Sequence, residues 1–197
     1  MSRLMRASEV TKRPVVTLDG DDIAQIKDVV YGDAGGAVTG FTLAGRGLFA
    51  GPSKQALAWP AVLALGADAV MVRENSSLAS IEEVLEAARS SGGSGGDVLG
   101  SQVLTDTGKD LGKVTDVVIE ISDVAGSGRC DVVGYEIEAS EAFKSAGTTL
   151  LIPLPDTMAA SGDHLIVPAA ATDFVRDDLA GFGAAVNDFR AELERNA

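Results

Sequence analysis

The feature that most constrains this chain is an internal duplication. Ile26-Lys27-Asp28-Val29-Val30 returns as Val114-Thr115-Asp116-Val117-Val118, at an offset of 88 (116 − 28). Gly40-Phe41 returns as Gly134-Tyr135 at 94 (134 − 40), and Trp59-Pro60 aligns with Ile152-Pro153 at 93 (153 − 60). Gly66-Ala67-Asp68 with Val70-Met71-Val72 aligns with Ser161-Gly162-Asp163 and Leu165-Ile166-Val167 at 95 (163 − 68). The order is kept while the offset drifts slightly, as insertions in hairpin loops would cause. The 197 residues therefore read as two copies of one small unit, each able to bury only a modest core.

Each copy reads as short strands divided by turn residues. In the first, Pro14 to Leu18 is extended and Asp19-Gly20 begins a turn. Ile23 to Tyr31 is a long strand, 32–36 a glycine-rich reversal, and Ala37 to Leu43, Gln55 to Trp59 and Ala69 to Val72 follow as strands. β-Branched and aromatic residues fill the runs, while Gly, Asp and Pro fill the gaps. Strands this short and evenly spaced predict a small closed barrel. Only 5% of residues are aromatic and 23 are glycine, which also favours small cores and tight turns.

Between the copies the texture changes. Ser80 and Glu83 form a capping-box pattern, and Ile81, Val84, Leu85 and Ala88 fall on one helical face. Residues 90–96 are almost pure Gly and Ser, the composition of a flexible linker. The expected organisation is a first repeat over 1–75, a helix and linker over 76–96, a second repeat over 97–170 and a C-terminal amphipathic helix over 171–197. In that helix Val175, Leu179, Phe182, Val186, Phe189 and Leu193 are spaced 4, 3, 4, 3, 4. This seam either packs on a barrel or offers Phe182, Val186, Phe189 and Leu193 to a partner.

The repeated unit resembles the PRC-barrel family, known from the photosynthetic reaction-centre H subunit and the ribosome maturation factor RimM. The family's unit opens with a D-x-x-G turn and a G-K-V-x-D-V strand. A hairpin then leads into a G-[FY] strand, followed by a [VI]-P or W-P step and a last short strand. Thr105 to Val117, containing Gly112-Lys113-Val114-Thr115-Asp116-Val117, fits closely; the first copy has Ala24-Gln25 where the second has Gly112-Lys113. The likeness covers about residues 5–74 and 97–169. It implies an all-β fold with accessory helices, two six-stranded PRC-type barrels in tandem, used for docking or assembly rather than catalysis. It specifies fold better than function. The reaction-centre subunit's membrane helix and RimM's separate N-terminal domain have no counterpart in the sequence.

Composition limits the function classes. With 29 acidic and 16 basic residues the net charge is −13, a field that repels polyanions and speaks against nucleic acid as a partner. Cys130 is the only cysteine, so no internal disulfide forms, which fits a reducing cytoplasm. Met1 to Pro14 lacks the apolar core of a secretory signal. Ala56 to Val72 contains Pro60, Gly66 and Asp68 and reads as two strands and a turn, so no membrane insertion is expected. One histidine, His164, and one cysteine offer no metal-ligand spacing, and no cofactor is expected. Gly92-Gly93-Ser94-Gly95-Gly96 matches a hydrolase elbow in letters, but a helix precedes it instead of a strand. Gly45 to Ala50 matches a dinucleotide loop, yet runs into Gly51-Pro52 where a helix is required.

Asp28 and Asp116 place a carboxylate among β-branched residues in both copies. In a core strand such a group must be hydrogen-bonded or protonated, and the expected role is structural, accepting backbone N–H groups from a nearby turn and closing the barrel, rather than a proton relay or catalysis. Leu48 and Phe49 in the first copy, and Phe143 in its counterpart loop, are apolar tips suited to anchor a partner or to plug the barrel end. The expectation is a non-catalytic scaffold or adaptor that binds a protein or a second copy of itself. A RimM-like ribosome-assembly factor and a small-molecule binder with a pocket between the barrels are the alternatives.

Overall fold

The computed structural model describes residues 2–32, 36–45, 52–90, 98–122, 128–144, 147–155, 159–161 and 164–196. After β1 (Ser2–Arg6), the first copy supplies β2 (Pro14–Thr17), β3 (Asp22–Tyr31), β4 (Val38–Ala44), β5 (Pro52–Ala58), β6 (Val62–Leu65), β7 (Val70–Val72) and β8 (Ala79–Ser80). The second supplies β9 (Gln102–Thr105), β10 (Asp110–Ser122), β11 (Arg129–Ala139), β12 (Thr149–Pro153), β13 (Ala159–Ser161) and β14 (His164–Val167). Helices α1 (Ile81–Ser90) and α2 (Leu179–Asn196) follow β8 and a short 3-10 segment, respectively.

Each copy builds a seven-stranded sheet. The first runs β6-β7-β2-β3-β4-β5-β8, and the second runs β13-β14-β9-β10-β11-β12 with β1 paired to β10. The six strands expected of each repeat are thus present in the same order, with one strand added. In both, the first strand pairs in parallel with the last, Val15 opposite Val70 and Val103 opposite Leu165, while the pairs along the β3 and β10 hairpins are antiparallel. The hydrogen-bonded path between described residues is open rather than a ring. Period-2 burial, such as Val103 and Thr105 inward with Gln102 and Leu104 half-buried, places the core on one face of each strand.

Register gives a sharper alignment of the copies than their letters do. Gly40 lies opposite Ala58, and Gly134 lies opposite Pro153. A Cβ on Gly40 would run into the Leu57 carbonyl, and one on Gly134 into the Ile152 carbonyl. The offset of 95 between β5 and β12 (153 − 58) equates Trp59-Pro60 with Leu154-Pro155, two residues beyond the Ile152-Pro153 that the motif suggested.

The same correspondence extends past the strands into the helices. In the first copy β8 bridges β5, with Ala56 opposite Ala79; in the second, Leu151 bridges Arg176. Ser80 then caps α1, its hydroxyl accepting the Glu83 N–H at 3.2 Å while a Glu83 carboxylate oxygen accepts the Ser80 N–H at 2.9 Å. Asp178, 98 positions later, caps α2 by accepting the Gly181 N–H at 2.7 Å. Ile81, Val84 and Ala88 pack on Val30 and Ala56; Leu179, Phe182 and Val186 pack on Val118, Val133 and Leu151. The linker helix and the C-terminal helix are one element, present once in each copy. Val84 and Phe182 lie over Gly40 and Gly134, where only a residue without Cβ lets the helix approach.

The compact units do not follow the repeats throughout. One comprises Met1–Arg3, Ala7–Gly95 and Glu120–Asp131; the other comprises Leu4–Arg6, Gly96–Ile119 and Val132–Ala197. Among the described residues no helix is long and apolar enough to cross a membrane.

Candidate functional site

The turn that opens each copy is built by one device. In the second, the Thr105 carbonyl accepts Gly108 N–H at 2.8 Å and the Thr105 hydroxyl accepts Lys109 N–H at 2.9 Å. In the first, the Thr17 carbonyl accepts Gly20 N–H at 3.0 Å and the Thr17 hydroxyl accepts Asp21 N–H at 3.1 Å. Gly20 and Gly108 take φ of 93° and 82°, the left-handed conformation that such a turn demands. The second copy adds a tie, with Asp106 Oδ1 accepting the Ala169 N–H at 3.0 Å.

This turn positions Lys109 beside the loop after β11. Ser140 anchors that loop: its N–H donates to the Leu111 carbonyl at 3.1 Å and its hydroxyl to the Asp110 carbonyl at 2.9 Å. The Ser140 carbonyl in turn accepts Phe143 N–H and Lys144 N–H, both at 3.0 Å. Phe143 is thereby held half-buried, and Lys109 Nζ sits over its ring, 4.8 Å from the centroid. A cation over an exposed aromatic face contributes about 0.5–1 kcal/mol, enough to orient the ring without burying it. Lys109, Glu141, Ala142 and Lys144 around it are exposed. Phe143 was visible in the sequence as an apolar loop tip; its pairing with Lys109, 34 positions earlier, left no local signal. Leu48 and Phe49, and the Gly45–Ala50 and Gly92–Gly96 motifs apart from Gly45, lie outside the described residues.

The two carboxylates separate. Asp116 is 7% exposed and its Oδ1 accepts the Val117 N–H at 2.7 Å. Asp28, by contrast, is on the solvent face, which corrects the expectation that both lie in a core strand. The register of β3 against β4 shifts between Ile26 and Asp28, so Lys27 and Asp28 both point outward and the alternation resumes at Val30. Asp28 accepts the Thr42 hydroxyl at 3.1 Å and lies 3.4 Å from Lys27 Nζ. In the second copy β10 has β1 as an additional neighbour, and no equivalent strand lies on β3 among the described residues.

Of the two roles expected for the C-terminal seam, the structure shows packing on the sheet. Phe182 and Phe189 are fully buried and Val186 nearly so; Phe182 and Val186 pack on Val118, Val133 and Leu151, and Phe174 lies 5.4 Å from Phe189, centroid to centroid. They cover the sheet and are not an open docking stripe, because the ring of Phe182 fills the space left by Gly134. Leu193, one turn beyond Phe189, is half-buried.

Groups with nucleophilic chemistry are suppressed by their surroundings. Burial pushes the Cys130 thiol up from 9.0 to about 12, with the nearby Asp131 charge adding to the shift. Burial likewise raises the Tyr135 hydroxyl to about 12. His164 is exposed at the start of β14. No group of three or more His, Cys, Asp or Glu able to hold a metal occurs among the described residues. The open depression along α1 is lined by that helix alone, through Glu82, Leu85, Glu86 and Arg89 among others.

Comparison with known families matches the PRC-barrel domain to this chain twice, over residues 3–79 and 94–173. The chain belongs to the PRC-barrel family. It is a tandem PRC-barrel protein, and both matches stop before the α1 and α2 helices that each copy carries. A search of curated proteins found no match.

Proposed function

We propose that this PRC-barrel protein is a non-catalytic docking module that holds a protein partner. The contact is made through the barrel end where the opening turn meets the loop after β11. The observation that carries this reading is Phe143, a ring kept half-exposed by a backbone anchored at Ser140 and oriented by Lys109. A rigid aromatic with a cation at its face is the kind of anchor from which interfaces gain most of their binding energy. Catalysis has no support from the chain's thiol and buried phenol, which remain protonated at neutral pH.

The test is capture by the immobilised full-length protein from its native extract, wild type against Phe143→Ala with Lys109→Ala. A defined protein lost with the double variant, while the circular dichroism of the bait is unchanged, supports the assignment. A partner retained equally by both baits contradicts it. Recovery of the chain itself, lost on the same substitutions, identifies the partner as a second copy.

A further inference from the structure

The offset between the copies steps from 88 at Val30/Val118 to 94 at Gly40/Gly134, so the second copy carries six additional residues in one hairpin. With Val118 equivalent to Val30, the end of β3 at Tyr31 corresponds to Ile119. With Gly134 equivalent to Gly40, the start of β4 at Val38 corresponds to Val132. The lengthened stretch is therefore 120–131, and Glu120–Asp131 is the segment of the second copy that clusters with the first unit.

Its described ends are held there by specific contacts. Trp59 Nε1–H donates to the Gly128 carbonyl at 2.6 Å, and Ala37 forms an antiparallel bridge with Asp131. Ile121 and Cys130 are 3% and 2% exposed. The ends also hold each other, the Ser122 hydroxyl donating to the Arg129 carbonyl at 3.3 Å. Trp59 is 8% exposed and stacks at a tilt on Phe41, centroids 6.2 Å apart. Without Gly128 its indole N–H would be buried with no acceptor, a costly arrangement. Leu154, the equivalent of Trp59 in the second copy, carries no such donor and is buried without one.

We propose that residues 120–122 and 128–131 form a strap that completes the first unit, so that the first repeat reaches its native state only with chain supplied by the second. The strap opens and closes with the first repeat rather than with the hairpin's own repeat. The chain's single tryptophan and single cysteine make this testable, since Trp59 lies at the seat of the strap and Cys130 lies within it.

The experiment is thiol labelling of Cys130 in the full-length protein under native conditions. Two variants are compared with wild type: Trp59→Phe, which keeps the ring but removes the donor, and Val186→Ala, which weakens the α2 packing of the second unit. Trp59→Phe should label about five- to tenfold faster than wild type, with Val186→Ala close to wild type. A faster rate for Val186→Ala than for Trp59→Phe overturns the proposal. Should Trp59→Phe fail to fold, exchange of the wild-type indole N–H decides. Protection of at least about tenfold over free indole supports the strap, and exchange at the free rate refutes it.

Discussion

Replacing Gly134 by alanine puts the correspondence between helices and barrels under direct strain. The new Cβ would stand 2.5 Å from Cζ of Phe182 and closer still to the Ile152 carbonyl. The first is a fully buried ring and the second a backbone atom in a paired strand, so neither can yield cheaply. Overpacking of a well-filled site costs about 1–3 kcal/mol, and a double clash of this kind belongs near the upper end. For a unit of this size ~3 kcal/mol corresponds to a fall in Tm of roughly 10–20 °C. Gly40→Ala should cost less, since Val84 Cγ1 would be 2.9 Å away and an aliphatic side chain gives more readily than a ring. Urea unfolding followed by circular dichroism, with constant m, measures both. Adding Phe182→Ala to Gly134→Ala should cost less than the two separately, by about 1–2 kcal/mol, because the new methyl enters the space of the ring. A Gly134→Ala protein within about 0.5 kcal/mol of wild type would refute the reasoning.

Other outcomes follow from the buried polar groups. Cys130 and Tyr135 prefer their neutral forms when folded, with values raised to about 12 from 9.0 and 10.0. Their contribution is therefore full below about pH 9 and is lost as pH climbs from there towards 12, where the unfolded chain ionises first. Urea midpoints should fall over that range, and Tyr135→Phe should flatten the part above about pH 10; an unaltered alkaline fall would contradict the assignment. Asp116→Ala should cost about 1–3 kcal/mol by removing the buried acceptor of the Val117 N–H, and Asp28→Ala less than about 0.5 kcal/mol. Equal losses at the two sites, in the same urea titration, would remove the distinction between them. Ser80→Ala should lower stability by about 1 kcal/mol through loss of the α1 cap, read by the same assay.

Much of the fold was legible because its signals are local. The strands around Asp28-Val29-Val30 and Asp116-Val117-Val118, the Gly-[Phe/Tyr] positions and the Ser80–Glu83 box each reflect geometry within a few residues, and these elements form where the sequence placed them. What escaped depends on distant chain. The bulge at Lys27 turned Asp28 outward although the flanking Ile26, Val29 and Val30 read as a core strand. The heptad spacing of Phe182, Val186 and Phe189 announces an apolar face but not what covers it, and the answer lies in Gly134, which the sequence offers only as one letter of the repeated Gly-[Phe/Tyr] pair. The same helix in the first copy has Val84 at that place, so the two helices share few letters. The step in offset from 88 to 94 marks an insertion, while its association with Trp59 exists only in three dimensions. The candidate docking site was half visible, in Phe143 but not in Lys109.

The most direct test of the account is amide hydrogen exchange across α2 in the isolated full-length protein. If each PRC barrel carries its own covering helix, amides at Phe182, Val186 and Phe189 exchange as slowly as those of Val133 and Leu151 beneath them. Exchange of α2 at the rate of a free helix, with the strands still protected, would mean that the helix is available to partners and that the barrel-plus-helix unit is not the repeat.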